Sequence, residues 1–339
     1  MRNYHVAIVG ATGAVGTEFL RLLETRDFPL ASLRLLASER SVGKILTFRG
    51  KPYVVELLTE DSFSGIDIAL FSAGGSRSKE FAPAAVRAGA LVIDNSSAYR
   101  MDENVPLVIP EINPDDIMGH KGIIANPNCS TIIMLMALEP LRRLAPVRRV
   151  IASTYQAVSG AGAQAMTELI EQTNDVLHER TVIPRIFPHP VAFNLFSHNT
   201  NIDETGYNEE ERKMIYESRK ILHDPHLKIS ATCIRVPVLR AHSESLNIEF
   251  EAGRRPALDA IRAALAAFPG VIVVDNREAN HFPMPLEATG QDDVLVGRIR
   301  DDLSNDDAID LFVAGDQILK GAALNGIQIA EKWMELAAV

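Results

Sequence analysis

The chain has 339 residues, 47% of them hydrophobic, and carries a formal net charge of -10 at neutral pH. That length exceeds one typical core and suits two domains, while the acidic balance, with no lysine and arginine run longer than pairs such as Arg142-Arg143, argues against a nonspecific nucleic-acid binder. Only two cysteines, Cys129 and Cys233, leave no disulfide framework to read, which fits a reducing compartment and makes the cytoplasm the expected location.

From the N-terminus, Tyr4 to Val9 is a β-rich run with no basic leader before it, so no secretory route is expected. The run ends in Gly10-Ala11-Thr12-Gly13-Ala14-Val15-Gly16, after which Val15, Phe19, Leu22 and Leu23 recur at helical spacing. Strand, glycine loop and helix in that order let a pyrophosphate sit on a helix N-terminus, where N–H groups and the helix dipole favour an anion. The glycines at 10, 13 and 16 depart from G-x-G-x-x-G, and an ordinary glycine turn fits the same letters.

Leu33 to Ala37 is a second predicted strand, and it leads into Ser38-Glu39-Arg40-Ser41, where a dinucleotide fold meets the adenosine ribose. Glu39 suits the ribose hydroxyls of NAD, whereas Arg40 with two hydroxyl residues suits the 2′-phosphate of NADP. The expectation is NADP. Predicted strands at Ile66 to Phe71 and Leu91 to Ile93, separated by a helical run near Ser78 to Ala88, argue for a parallel sheet covered by helices. The loop Asp94 to Arg100 leaves such a strand at its ligand-binding end, which makes Arg100 either an anion clamp or a solvated arginine.

Asn126-Pro127-Asn128-Cys129-Ser130-Thr131 opens the apolar helical run Ile132 to Leu138, which is far shorter than a membrane span. The turn formers place Cys129 at a helix N-terminus, with Asn128 as an N-cap candidate. Unpaired backbone N–H groups and the positive end of the dipole favour a thiolate there, so Cys129 is a candidate nucleophile. A buried cysteine acting as a small hydrophobe is the ordinary alternative.

Beyond it, Arg149 to Gln156 is a predicted strand ending in a glutamine suited to orienting a carbonyl or to a structural amide contact, followed by the loop Ser159-Gly160-Ala161-Gly162 and a helical segment, Met166 to Leu177. Asn208 to Lys213 opens another helix with Glu210 and Lys213 three apart on one face, an arrangement also typical of a surface ion pair. Ile229 to Leu239 alternates like a strand and runs into Arg235 through Ser245, which includes His242, one of nine histidines. Ser245 to Glu251, Gly270 to Val274, Val294 to Arg300 and Ile309 to Ala314 complete a mixed sheet with a helix at Pro256 to Ala267. The final helix is expected at Gln317 to Leu336. Among these strands the sheet offers a subunit interface.

Five of these stretches, Gly10 to Gly16, Asp94 to Arg100, Asn126 to Thr131, Gln156 to Gly162 and Arg235 to Ser245, stand in the order of the bacterial aspartate-semialdehyde dehydrogenases, which the chain resembles over nearly its whole length. The stretch Phe193 to Glu209 is a few residues longer than that pattern. The resemblance implies an α/β fold: a Rossmann-like NADP-binding domain at 1–128, completed by the C-terminal helix at 317–339, and an α+β mixed-sheet catalytic and dimerisation domain at 129–316. By the same resemblance Cys129 is the acyl-thioester nucleophile, Gln156 positions substrate and His242 is the acid/base. Arg235 holds the substrate carboxylate, Glu210 its amino group, and Arg100 with Lys213 the phosphate. NADP(H) contacts fall to Gly10, Thr12, Gly13, Ala14, Val15, Arg40, Ser41, Ser159, Gly160 and Gln317, with no metal. The implied activity is NADPH-dependent conversion of aspartyl phosphate to aspartate semialdehyde and phosphate by a homodimer, in lysine, threonine, methionine, isoleucine and diaminopimelate biosynthesis. An N-acetylglutamyl-phosphate reductase and a noncatalytic paralogue are the alternatives, and no nucleic-acid or membrane partner is expected.

Overall fold

The structure, a computed structural model, describes residues 2–338. The chain divides into two compact units, 1–128 with 322–339, and 129–321.

The first unit is built on a seven-stranded sheet. Its elements in chain order are β1 (Tyr4–Val9), α1 (Ala14–Thr25), β2 (Leu30–Ala37), β3 (Ile45–Phe48), β4 (Lys51–Leu57), β5 (Ile68–Phe71), α2 (Gly75–Arg87), β6 (Leu91–Asp94) and β7 (Ile123–Ala125). The strand order is β3-β4-β2-β1-β5-β6-β7, parallel throughout except for the β3/β4 hairpin at one edge. β5 and β6 are buried along their whole length, as strands covered on both faces must be, which is why they read as unbroken apolar runs rather than alternating ones. α1 buries Phe19, Leu20, Leu22 and Leu23. Gly326 of the C-terminal helix (Leu324–Ala337) lies against Phe19, where an added Cβ would come within 3.0 Å of the ring.

The second unit opens with α3 (Cys129–Leu144) and continues through β8 (Val147–Gln156), α4 (Ala163–Leu177), β9 (Phe196–Ser197), α5 (Glu209–Ile221), β10 (Lys228–Arg235), β11 (His242–Phe250), α6 (Leu258–Ala267), β12 (Val271–Val273), α7 (Pro285–Ala288), β13 (Val294–Asp301) and β14 (Ala308–Gly315). Its mixed sheet runs β12-β13-β14-β11-β8-β10-β9. α3, α5 and α6 pack on one face. There β8 buries Val150, Ala152, Thr154 and Gln156, and β11 buries His242, Glu244, Leu246, Ile248 and Phe250. The alternating residues Ile151, Ser153, Tyr155, Ser230, Thr232, Ser245 and Asn247 point the other way and are half-buried or exposed. On that uncovered face Tyr155 and Phe312 approach with ring centroids 6.1 Å apart.

Two expected elements differ in extent. β10 stops at Arg235 rather than Leu239, because Pro237 has no N–H to give the ladder and Val238 turns back to bond the Val236 carbonyl. The continuous final helix expected from Gln317 is interrupted. The Asp316 carboxylate accepts the N–H groups of Ile318 and Leu319, a π-helical turn follows at Leu319–Ala323, and the regular helix begins at Leu324. Gln317 therefore belongs to the second unit, which extends to Gly321, and not to the C-terminal helix.

Candidate active site

In the first unit, the turn after β1 carries the features of an anion cradle. Gly10 has φ +87°, and a Cβ there would meet the Ser72 carbonyl oxygen at 2.6 Å; at Gly16 it would meet the Gly10 carbonyl oxygen at 2.2 Å. Gly10 makes the turn and Gly16 lets the helix close onto it. α1 then begins at Ala14 with no side-chain cap and no acidic residue in its first turn, so its leading N–H groups face outward toward an anion. Thr12 Oγ1 donates to Ser41 Oγ at 3.0 Å, which fixes the turn bearing Arg40 and Ser41 beside the glycine loop. These residues fit a dinucleotide.

Arg100, also in the first unit, is buried rather than solvated. Its Nε donates to the Asn126 carbonyl and its Nη2 to that of Asn95, each at 2.9 Å. The loop Asp94 to Arg100 is pinned in turn by the Asp94 carboxylate, which accepts from the side chains of Ser78 and Ser96.

Sheet register assembles the catalytic set of the second unit. β8 and β10 are parallel with Gln156 opposite Arg235, so both side chains leave the same end of the sheet on the helix-covered face. β11 is antiparallel to β8, with Ser243 opposite Tyr155, and this puts His242 at that same end beside Gly315 of β14. α3 starts at Cys129 itself, so the half-buried thiol stands on the first turn of a helix whose next ten residues are all buried except Glu139. Gly321 lies against it, and a Cβ at that position would come within 2.8 Å of Cys129 Cβ. The other cysteine, Cys233, is buried in β10 with its thiol pushed up by burial and by the charge of Glu210, which makes it inert.

Gln156 links the end of β8 to the first turn of α5. Its Nε2 donates to Glu210 Oε1 at 3.1 Å and its Oε1 accepts from Thr154 Oγ1 at 3.2 Å. Glu210 is buried, so the reading of Glu210 and Lys213 as a surface pair does not hold. Lys213 Nζ lies 3.5 Å from Glu210 Oε2 and 2.8 Å from Glu209 Oε1. Arg235 donates from Nη1 to the Ala157 carbonyl at 2.7 Å and from Nη2 to His198 Nε2 at 2.9 Å. Its Nε has no partner, although it is buried. Burial lowers the Arg235 guanidinium from its ordinary value, while the charges of Glu210 and Cys129 act in the opposite sense, which places the Cys129 sulfur in the electrostatic neighbourhood of this arginine.

The Ala157 N–H donates to His242 Nδ1 at 3.0 Å. A backbone amide is always a donor, so the neutral imidazole carries its proton on Nε2. Burial first, then the adjacent Arg235, hold His242 well below its ordinary range, with Glu210 opposing. Its Nε2 has no partner and lies beneath Gly160, where an added Cβ would be 3.2 Å away. Ser159 and Gln317 build the wall around it. The Gln317 Oε1 accepts from the Ala241 N–H at 2.8 Å, and its Nε2 donates to Ser159 Oγ. Two buried donors, Arg235 Nε and His242 Nε2, are thus left for a ligand's oxygens to satisfy.

Glu244, two residues on from His242 along β11, is fully buried with both carboxyl oxygens unpartnered, and burial raises it well above the ordinary carboxylate range. Above pH 4.5 the unfolded chain loses this proton while the folded one keeps it, so the folded state binds more protons and stability falls as pH rises. Glu244→Gln removes that slope. Its melting temperature relative to the parent protein is expected to improve steadily from pH 5 to pH 8, and a constant difference across that range would show that Glu244 is ionised in the folded state.

Residues 5–120 match the family described as semialdehyde dehydrogenase, NAD binding domain, and residues 138–320 match semialdehyde dehydrogenase, dimerisation domain. The aspartate-semialdehyde dehydrogenase of Synechocystis sp. is 54% identical, with 97% of each chain covered, and that of Aquifex aeolicus is 55% identical at the same coverage. The chain belongs to the aspartate-semialdehyde dehydrogenase family. The crystal structure of aspartate semialdehyde dehydrogenase II complexed with ASA from Vibrio cholerae superimposes with a TM-score of 0.95 at 42% identity, covering 99% of each chain. Family membership makes the protein an oxidoreductase with a nicotinamide dinucleotide domain and a mixed-sheet dimerisation domain. No helix among the described residues is long and apolar enough to cross a membrane.

Of the expected site residues, Cys129, Gln156, Ser159, Gly160, Glu210, Lys213, Arg235, His242 and Gln317 all lie in the second unit, and Gly10, Thr12, Gly13, Ala14, Val15, Arg40, Ser41 and Arg100 in the first. Sequence reasoning missed His198. It is half-buried on the far side of Arg235, and burial pushes its imidazole down to about 4, with Glu210 opposing and Arg235 and Lys213 reinforcing. One histidine in a polar stretch of irregular spacing gives no periodic signal.

Proposed function

We propose that the protein reduces L-aspartyl 4-phosphate to L-aspartate 4-semialdehyde with NADPH, through a thioester on Cys129, supplying lysine, threonine, methionine, isoleucine and diaminopimelate biosynthesis. The observation that carries this reading is the buried juxtaposition of one cation, Arg235, one anion, Glu210, and the Nε2 proton of His242 in the unit that presents Cys129 on a helix N-terminus. A zwitterionic amino acid needs that pairing: guanidinium for its carboxylate, carboxylate for its ammonium.

The Cys129 thiolate adds to the acyl carbon, and the carbonyl oxygen takes the displaced electron pair. His242 Nε2–H donates a hydrogen bond to that oxygen. A role as base at Nε2 would first require a proton on Nδ1, where the Ala157 N–H already sits, so His242 acts as a hydrogen-bond donor and not as a shuttle. Phosphate leaves with the bonding pair of the acyl–oxygen bond and takes a proton from solvent. Arg100 and Lys213 are assigned to it. Bound NADPH would supply the hydride that the thioester carbon accepts; His242 Nε2–H then donates to the second tetrahedral oxygen, and collapse of the carbon–sulfur bond returns the Cys129 thiolate and frees the aldehyde. Gly10, Thr12, Gly13, Ala14 and Val15 hold the pyrophosphate, and Arg40 with Ser41 the 2′-phosphate. Ser159, Gly160 and Gln317 hold the nicotinamide end. The uncovered sheet face around Tyr155 and Phe312 pairs two subunits into a homodimer, and the protein works in the cytoplasm.

An N-acetylglutamyl substrate has an uncharged nitrogen, which would leave buried Glu210 facing an amide. A noncatalytic paralogue has no use for a cysteine on a helix N-terminus or for buried donors left without partners in the same unit. The test is purified protein given L-aspartate semialdehyde, phosphate and NADP. It is expected to scatter light as a dimer, to form NADPH only when phosphate is present, and to prefer NADP to NAD. N-acetylglutamate semialdehyde as the better substrate would overturn the reading, as would silence with both aldehydes in a protein that binds NADP.

A further inference from the structure

We propose that His198 is a positioning residue that sets the spacing between Arg235 and Glu210, and so fixes the site's fit to a substrate carrying a carboxylate and an amine on one carbon. The inference rests on the substrate-holding roles given above to Arg235 and Glu210.

His198 follows directly on the short edge strand β9, and its backbone N–H donates to the Cys233 carbonyl at 2.8 Å, two residues before Arg235 on β10. Its side chain touches Arg235 directly and Thr200, the partner of the Glu210 backbone N–H. Arg235 can only donate, so the 2.9 Å contact from Nη2 makes His198 Nε2 the acceptor and leaves the ring proton on Nδ1. That Nδ1 faces Thr200 Oγ1 at 3.3 Å, and Thr200 Oγ1 accepts the N–H of Glu210 at 3.3 Å. A single run of hydrogen bonds therefore joins the guanidinium to the backbone of the residue that bears the carboxylate.

The chemistry of the acceptor matters. A carboxylate at this position would neutralise Arg235 and compete with the substrate. A neutral imidazole orients the guanidinium and leaves its charge available, and burial keeps His198 neutral throughout the physiological range. Without an acceptor on this side the guanidinium is free to swing toward Glu210, whose charge already acts on it. The two binding groups would then satisfy each other instead of the substrate. The segment Phe193 to Glu209, which leads through β9 into α5, is the piece of chain that delivers this acceptor.

His198→Ala is expected to raise KM for aspartate semialdehyde about tenfold, with kcat within about twofold and KM for NADP and phosphate unchanged. It is also expected to narrow the preference for aspartate semialdehyde over succinate semialdehyde, which lacks the amine. His198→Gln places a neutral oxygen acceptor near the position of Nε2 and is expected to restore KM to within about threefold of the parent. An unchanged KM in the alanine variant overturns the proposal. So does a glutamine variant as impaired as alanine, or a general loss in which kcat and all three KM values move together. Arg235→Leu run beside them separates the levels. If it raises KM while His198→Ala does not, the positioning role alone fails; if neither raises KM, the carboxylate assignment fails and takes this inference with it.

Discussion

Replacing Cys129 with serine is expected to lower kcat by about four orders of magnitude or more while NADPH binding, followed by fluorescence titration, stays at the parent level. The hydroxyl occupies the same first turn of α3, so the fold and the cofactor loop, which lies in the other unit, are untouched. What disappears is a nucleophile that ionises readily at a helix N-terminus and forms an acyl intermediate from which hydride addition is easy. The remaining cysteine cannot substitute, because Cys233 is buried against Met214 with its thiol held protonated. Parent-level turnover in the serine variant would exclude covalent catalysis by this residue.

Arg235→Leu is expected to raise KM for aspartate semialdehyde by about 10- to 100-fold with a smaller change in kcat, the consequence of removing a charge-assisted contact made alike in ground and transition states. The substitution also removes two contacts internal to the protein, to the Ala157 carbonyl and to His198. Ala157 is the residue whose N–H orients His242, so some kcat is lost with it. Measuring KM for phosphate and NADP in the same variant separates these effects, since neither ligand is assigned to Arg235. An unchanged KM for the aldehyde would remove Arg235 from the carboxylate site.

The elements that were legible in the amino-acid order are those whose periodicity is enforced by burial. β5 and β6 read as continuous apolar runs because both faces are covered, and α1 reads as a helix because one stripe of it meets the sheet. Cys129 was legible because Pro127 and two asparagines punctuate the chain just before an apolar helix. The β3/β4 hairpin escaped because its exposed Ile45, Val54 and Leu57 sit on a two-strand edge with no alternating pattern to advertise it. Where β10 ends depended on a proline whose effect was outweighed by the β-rich letters around it. At the site, residue types were legible but their partners were not. Gln156, Arg235 and His242 are brought together by the register of β8, β10 and β11, and Glu210 joins them from the first turn of α5 through its bond to Gln156, all of them long-range properties. The proton position on His242 depends on the Ala157 backbone, and the bond from His198 to Arg235 depends on a two-residue strand too short to leave a pattern.

The most direct measurement of the central claim is rapid mixing of the enzyme with aspartate semialdehyde and NADP in the absence of phosphate. Thiolate attack and hydride loss can proceed, but the acyl group has no acceptor. The expected result is a burst of NADPH stoichiometric with active sites, followed by a stall, with the peptide bearing Cys129 heavier by one aspartyl group; added phosphate then restarts turnover. Steady NADPH formation without phosphate and without a modified Cys129 would contradict a thioester on this residue.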